Sequence, residues 1–341
     1  MQTILITGGA GFIGVNLASH FLKQKNSKII IFDNLSRKGV RENLKWLAQN
    51  AQANSLEFVK ANLKNYQKLK NCVKRSDKIL HMAAQVAVTL SVNNPREDFE
   101  SNCLGTFNLL EAMRETKSQA PLIYASTNKV YGNMEELKIK KLKYRYVYQD
   151  YPQGITEQRL LDFHSPYGCS KGAADQYVRD YSRIYGLNTI IFRQSCIYGP
   201  RQMGHEDQGW VAWFAIASLL KKRLTVYGDG KQVRDVLYID DLVRAMEMAI
   251  SKIQKIKGRI YNIGGGPKNT MSLLELIGYL EKFLGRKIKY DFDDWRPGDQ
   301  KVYVSNIQKA QKEFGWEPKI VPKQGVKNLV EWVKQNKILF K

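Results

Sequence analysis

Gln2-Thr3-Ile4-Leu5-Ile6-Thr7-Gly8-Gly9-Ala10-Gly11-Phe12-Ile13-Gly14 decides the fold. Gln2 to Ile6 is a short apolar run with β-branched residues, the pattern of a buried parallel strand. It breaks into glycines, and apolar residues then recur at helical spacing at Phe12, Ile13, Val15, Leu17, Ala18, Phe21 and Leu22. Strand, glycine turn and helix together form the entry to a dinucleotide site. One glycine turns the chain, Gly11 keeps side chains away from a pyrophosphate, and Gly14 lets the helix pack close to the sheet. The new helix offers that anion unpaired N–H groups and a positive dipole end.

Working outward, the second strand is expected at Ile29–Phe32, ending on Asp33. An acid about twenty residues past the fingerprint accepts hydrogen bonds from the adenosine ribose and repels a 2′-phosphate. That favours NAD over NADP, although Arg37 nearby could hold the phosphate instead. Further strands are expected at Leu56–Val59, Ile79–Ala84 and Leu122–Ser126, and a long helix at Pro95–Thr116 containing Asn102. Alternating strands and helices imply a doubly wound parallel sheet with helices on both faces. His81 is read as a hydrogen-bonded strand-end residue without catalytic duty. The lysine- and tyrosine-rich stretch 133–164 has weak periodicity, and so long a segment points to an insertion beside a substrate pocket.

The chain has 341 residues, 43% of them hydrophobic, enough for a sizeable core. No apolar run approaches the ~20 residues of a membrane span. The N-terminus opens directly into a strand, so no secretory signal is evident. Cys72, Cys103, Cys169 and Cys196 lie far apart without metal-ligand spacing, which fits a reduced cytoplasmic protein without a metal. The formal charge of +22 raises a nucleic-acid reading, but the lysines are spread along the chain and solvated basic faces account for them better. A basic protein still attracts a polyanionic small substrate.

Tyr167 and Lys171 lie four apart, on one face of the helix expected after Ser165-Pro166. A tyrosine of ordinary pKa is a poor base at neutral pH, and a nearby ammonium favours its phenolate. Such a phenolate can take a hydroxyl proton while hydride leaves the same carbon. A serine or threonine hydroxyl, as at Ser126-Thr127, can hydrogen-bond the reacting oxygen.

Together these residues resemble the extended short-chain dehydrogenase/reductase family, the nucleotide-sugar epimerases and dehydratases. The likeness runs through Thr7 to Gly14, Asp33-Asn34, His81 to Ala84, Asn102, Ser126-Thr127, Tyr131-Gly132 and Tyr167 to Lys171. It continues through Arg193, Tyr198 to Arg201, Gly228 to Gly230, Arg234-Asp235, Asp240 to Leu242 and Arg296 to Asp299. It implies a Rossmann domain at 1–192 with a return segment near 236–263. A smaller α+β domain at 193–235 and 264–341 would bind the nucleotide sugar. It implies catalytic roles for Thr127, Tyr167 and Lys171. It maps NAD contacts onto Gly8, Gly11, Phe12, Ile13, Asp33, Asn34, Ser36, Arg37, Asn62, Leu63, Ala83, Asn102, Tyr167 and Lys171. It maps substrate contacts onto Gln85, Asn128, Arg201, Arg234 and Arg296, with Arg234 and Arg296 as diphosphate clamps or, alternatively, salt-bridge partners. It also implies a homodimer or homotetramer.

The departures narrow the chemistry. In the 4,6-dehydratases, acids follow the threonine and serve elimination. Here Asn128-Lys129 stand there, which disfavours elimination and leaves epimerisation. The stretches Ser165 to Tyr177 and Asp207 to Phe214, and the long spacing from Thr127 to Tyr167, look more closely like the CDP-hexose 2-epimerases. UDP-hexose 4-epimerase and 4,6-dehydratase activities remain rivals. A different class of rival is an NAD-sensing nucleic-acid-binding protein.

Overall fold

The computed structural model describes residues 1–296 and 298–340. The chain divides into two compact units. The first comprises Met1–Val130, Ser165–Arg193 and Val243–Tyr261, and the second Tyr131–His164, Gln194–Leu242 and Asn262–Lys341.

The first unit is built on a seven-stranded sheet. Strands β1 (Gln2–Thr7), β2 (Ser27–Asp33), β3 (Leu56–Lys60), β4 (Lys78–His81) and β5 (Leu122–Thr127) are joined by Thr189–Gln194 and Arg259–Ile263. The order is Arg259–Ile263, Thr189–Gln194, β5, β4, β1, β2, β3. β1 pairs in parallel with β2 on one side and β4 on the other, so the order reverses at β1. That switch point lies where the glycine turn leaves the sheet, the place where open α/β sheets bind ligands. The strands are buried apolar runs: Ile4, Leu5, Ile6, Ile29, Ile30, Ile31, Ile79 and Leu80 are fully buried. One face packs Leu5, Ile30 and Phe32 against Leu109, Leu110 and Met113 of the Gly105–Glu115 helix.

Two expectations about this unit are corrected. β4 ends at His81 rather than Ala84, because the His81 ring is bonded on both sides and the chain then leaves the ladder. The long helix at Pro95–Thr116 is broken into Pro95–Phe99, a π turn at Glu100–Leu104, and Gly105–Glu115. The π turn is where the Asn102 amide is drawn inward, with four hydrogen bonds to three residues, Gln85, Asp98 and Ser170.

The second unit is α+β. Val233–Tyr238 pairs antiparallel with Thr270–Ser272 and parallel with Val302–Tyr303 and Cys196–Tyr198. A second small sheet pairs Leu224–Tyr227 with Tyr290–Asp293. Helices Trp210–Leu219, Leu273–Leu284 and Pro322–Gln335 complete it. Ser272 and Glu275 form a full capping box on the Leu273–Leu284 helix.

The unit boundaries differ from the expected ones. Residues 131–164 belong to the second unit. Their hairpin, Ile139–Lys141 with Tyr146–Tyr148, packs Tyr146 on Val233, Val302 and Val304. Arg145 also holds Glu275 through Nε at 2.7 Å and Nη2 at 2.6 Å. The strand Val233–Tyr238 stays with its pairing partners, so the return segment of the first unit is 243–261 rather than 236–263.

Candidate active site

The glycine turn is held by backbone packing. Gly8 has φ +65°, and a Cβ there would stand 2.6 Å from the Ala83 nitrogen, so β1 and the segment after β4 touch through backbone alone. A Cβ on Gly14 would stand 2.4 Å from the Gly8 oxygen. Helix Phe12–Leu22 begins at Gly11 with no side-chain cap and no acid in its first turn. Its N–H end, beginning with Phe12 and Ile13, is therefore open to an anion.

Asp33 closes the far side of the turn. Its Oδ2 accepts the Ala10 N–H at 3.1 Å and its Oδ1 the Leu35 N–H at 2.8 Å. Burial raises its pKa, while those two bonds and the Arg37 charge act against burial. A side-chain-free turn, an open helix end and a carboxylate at the β2 tip fit a dinucleotide with an unphosphorylated ribose. Asn34 Oδ1 takes the Ser36 N–H at 3.0 Å, and Asn62 Oδ1 the Lys64 N–H at 2.9 Å, so both amides shape their own loops.

The other half of the site comes from β5 and the Ser165–Tyr185 helix. β5 ends on Ser126 and Thr127, both buried. The Thr127 hydroxyl bonds the Tyr167 phenol and accepts the Lys129 N–H at 3.2 Å. Ser91 Oγ receives the Tyr167 backbone N–H at 3.2 Å. Lys171 is 2% exposed; its Nζ donates to the Ala125 oxygen at 2.6 Å and lies 4.2 Å from the Tyr124 ring centroid.

Thr127 and Tyr167 are in hydrogen-bond contact, and Lys171 lies one helical turn beyond Tyr167 with its ammonium on the Ala125 carbonyl. Burial pushes the Tyr167 phenol up to about 12, with Thr127 and Arg37 opposing. The Lys171 ammonium is turned to a carbonyl and an aromatic face, and the charges acting on the phenol are those of Asp98, which raises its pKa, and Arg37, which lowers it. Burial also brings Lys171 down to about 7, against the pull of Asp175 and Asp98.

A profile of the family described as GDP-mannose 4,6 dehydratase matches residues 5–329. The chain belongs to that family. Within it, the chain is 46% identical over 336 residues to the CDP-paratose 2-epimerase of Salmonella typhi, covering 96% of this chain and 98% of that protein. It is 30% identical to the dTDP-glucose 4,6-dehydratase of Salmonella typhimurium, covering 98% of this chain and 93% of that protein. Among solved structures, it is similar to the UDP-glucuronic acid 4-epimerase of Bacillus cereus in complex with UDP-glucuronic acid and NAD. The TM-score is 0.85 at 28% identity, covering 98% of this chain and all of that one.

For this member of the family, three sequence assignments meet side chains already engaged within the first unit. Asn102, 1% exposed, takes the Gln85 N–H on Oδ1 at 2.8 Å and donates from Nδ2 to Asp98 and Ser170. Gln85 donates from Nε2 to the Ala87 oxygen and to Asp98, and accepts the Ala87 N–H. Leu63 is buried against Gly105, and its carbonyl accepts from Asn108 at 3.1 Å. Asn128 is also buried, at the step from β5 into a short 3-10 turn.

His81 holds the place expected of it. Thr106 donates its own proton to the Asn102 carbonyl, so His81 Nε2–H donates to Thr106 at 2.9 Å, and Nδ1 accepts from Thr7 at 2.6 Å. Burial with the nearby Lys171 charge keeps the ring neutral, its pKa driven down to about 3.

In the second unit, Arg234 pairs with Asp299 at 2.6 Å and donates to the Val233 oxygen. Arg296 lies 3.8 Å over the Tyr227 ring and pairs with Asp207 at 3.3 Å. Both arginines are linked by one turn, in which the Asp299 N–H bonds the Arg296 carbonyl; Pro297 lies outside the described residues. Arg201 is buried beside Trp332, 5.7 Å from its ring centroid. The salt-bridge alternative therefore describes Arg234 and Arg296 as they stand, and a diphosphate would have to replace the carboxylates.

Sequence reasoning missed Ser91, Asp98, Ser170 and Asp175. Ser170 and Asp175 lie within the stretch Ser165 to Tyr177, but nothing in the sequence gives their partners on other elements. Among the described residues, no cluster of His, Cys, Asp and Glu is placed to hold a metal, and no helix is long and apolar enough to cross a membrane.

Proposed function

We propose that the protein is an NAD-dependent nucleotide-sugar epimerase that interconverts CDP-paratose and CDP-tyvelose by inverting carbon 2. The observation that carries this reading is the Thr127–Tyr167–Lys171 group followed by Asn128 and Lys129 in place of acids. The full-length likeness to the Salmonella typhi 2-epimerase supports the sugar and the base.

NAD held by Gly8, Gly11, Phe12, Ile13, Asp33, Asn34, Ser36, Arg37 and Ala83 would accept a hydride from the sugar carbon and return it to the other face. Tyr167 takes the proton from the carbon-2 hydroxyl and later gives it back. Thr127 holds the reacting oxygen, and Lys171 supplies positive charge below the site. Arg234 and Arg296 take the diphosphate, for which guanidinium forks are suited. Asn128 is a poor proton donor and Lys129 cannot serve as a carboxylate, so the site lacks the acid–base pair that elimination needs. Four free cysteines fit a reducing, cytoplasmic setting, and the assembly we expect is a homodimer or homotetramer.

The test is incubation with CDP-paratose and, separately, UDP-glucose, with products read by NMR. Conversion of CDP-paratose with retention of a carbon-2 deuterium is expected. Washout of that label would argue for enolisation. Turnover of UDP-glucose alone would move the reaction to carbon 4, and a 4-keto-6-deoxy product would make the protein a dehydratase. RNA binding without sugar turnover would overturn the enzyme reading altogether.

A further inference from the structure

Asp98 is a fully buried carboxylate that the reaction above does not use. It sits on the Pro95–Phe99 helix, just before the π turn. Its hydrogen-bond donors are all neutral: Gln85 Nε2 at 3.0 Å and Asn102 Nδ2 at 3.1 Å on Oδ1, and Ser170 Oγ at 2.5 Å on Oδ2. Ser170 lies on the catalytic helix between Tyr167 and Lys171. A buried carboxylate costs several kcal/mol unless its charge is answered, as a general rule.

The charged groups around it leave one candidate for that answer. Facing Lys171 are Tyr167 and Asp175 from its own helix, Tyr124 from β5 and His81 from β4. His81 is neutral, and burial keeps the Tyr124 phenol protonated. The Cys103 thiol in the π turn is likewise pushed up by burial. Arg37 acts on Tyr167 and Asp33. Asp175 is committed to Arg193 by two bonds, at 3.0 and 2.9 Å. Asp175 still pulls on Lys171 the more strongly of the two acids, and Asp98 is the second negative charge acting on it and the one whose hydrogen-bond donors are all neutral.

We propose that Asp98 is a positioning residue of the Tyr167–Lys171 pair: it grips the serine between them and supplies a buried negative charge that helps balance the Lys171 ammonium. The grip fixes the first turns of the catalytic helix against the π turn. The charge opposes the burial that drives a desolvated lysine toward its neutral form. Gln85 and Asn102 serve the same carboxylate with their amide N–H groups. The inference rests on the epimerase reading for its kinetic arm only.

The test uses the full chain with its lysines carbon-13 labelled at Cε, Lys171 being assigned by Lys171→Arg. In Asp98→Asn the Lys171 titration midpoint should fall by about one pH unit, a tenfold loss of proton affinity. With CDP-paratose, both limbs of the kcat–pH profile should move to lower pH, since the lost charge also favours the Tyr167 phenolate. Ser170→Ala keeps the charge and breaks the grip: kcat should fall while the Lys171 midpoint stays in place. If Asp98→Asn does not fold, Asp98→Ser carries the same measurement. An unmoved Lys171 midpoint in the charge-removing variant overturns the proposal, as does an equal shift in Ser170→Ala. Because the NMR titration needs no substrate, it stands whether or not CDP-paratose is turned over.

Discussion

Ser126 Oγ donates to Asp175 Oδ2 at 2.7 Å, and Asp175 in turn receives Arg193 through Nε at 3.0 Å and Nη2 at 2.9 Å. This small network ties three elements together. Ser126 immediately precedes Thr127 at the end of β5. Asp175 follows Lys171 by one helical turn. Arg193 lies on the neighbouring strand Thr189–Gln194. The hydroxyl and the lysine of the site are therefore spaced by a buried ion pair, in which Arg193 is 2% exposed and Asp175 not at all.

Breaking that pair from one side should be costly. Arg193→Met leaves Asp175 buried beside Ser126 and Gln176 alone, and loss of one partner of a buried pair costs about 3–5 kcal/mol. Thermal unfolding followed by circular dichroism should show a markedly lower Tm. Arg193→Met with Asp175→Leu should recover part of the loss, because no unpaired charge remains. Equal stability of the single and double variants would mean that packing, not charge, sets the cost.

Tyr167→Phe removes the proton carrier of the proposed mechanism and leaves the ring in place. A lost general acid–base is worth about 10²–10⁴ in rate. Turnover of CDP-paratose should fall by that order while mass spectrometry still finds NAD in the purified protein. Full activity in the variant would remove Tyr167 from the chemistry.

Lys171 gives a pH signature in two directions. Its folded-state pKa is lowered to about 7 from an ordinary value of 10.5. Between those limits the unfolded chain binds the extra proton, so this residue's contribution to stability rises with pH. In the proposed mechanism the ammonium form is the active one, so kcat should decline above about 7 while Tm gains. In Lys171→Met the local rise in Tm over that range should vanish. A kcat that climbs unbroken to pH 10 would show that the charge is not required.

The sequence made the cofactor half of the site legible and hid the scaffold behind it. Gly8 to Gly14, Asp33, Thr127, Tyr167 and Lys171 are readable because backbone geometry or reaction chemistry restricts those positions to few residue types. Asp98 and Ser170 look like a first-turn helix acid and a small helical residue, and their meaning comes from a contact between helices 72 positions apart. The π turn inside the long helix expected at Pro95–Thr116 is hidden for the same reason. Periodicity registers apolar faces, and the π turn is made by the Asn102 amide and the bond from Thr106 Oγ1 to the Asn102 oxygen, at 2.6 Å. Residues 131–164 fall in the second unit because the valines that seat Tyr146 lie far along the chain.

Asp33 should decide cofactor choice. Asp33→Ala removes the proposed acceptor for a ribose hydroxyl and also frees the Ala10 and Leu35 N–H groups. A hydrogen bond to a charged group contributes about 1.5–3 kcal/mol, so NAD affinity should drop by roughly ten- to a hundredfold. Calorimetry on the NAD-stripped protein would measure it. Discrimination against NADP should narrow at the same time, because Arg37 remains while the repelling carboxylate is gone. An unchanged NAD affinity would reduce Asp33 to a loop-shaping residue.

Two glycine-to-alanine changes should act in opposite directions. Gly278 is exposed in the Leu273–Leu284 helix, and a Cβ there meets nothing within 4 Å. Gly278→Ala should therefore raise stability by about 0.5–1 kcal/mol, the helix cost of glycine. Gly14 is also helical, but its Cβ would fall 2.4 Å from the Gly8 oxygen and 2.6 Å from the Gly9 Cα. Those atoms are backbone and cannot swing aside, so Gly14→Ala must push the helix off the turn. That displaces the open N–H end from the Gly8–Gly11 cradle, and the protein should purify without NAD and with a lower Tm. If Gly14→Ala retained bound NAD, the contact between helix and turn could not be what sets the pyrophosphate cradle.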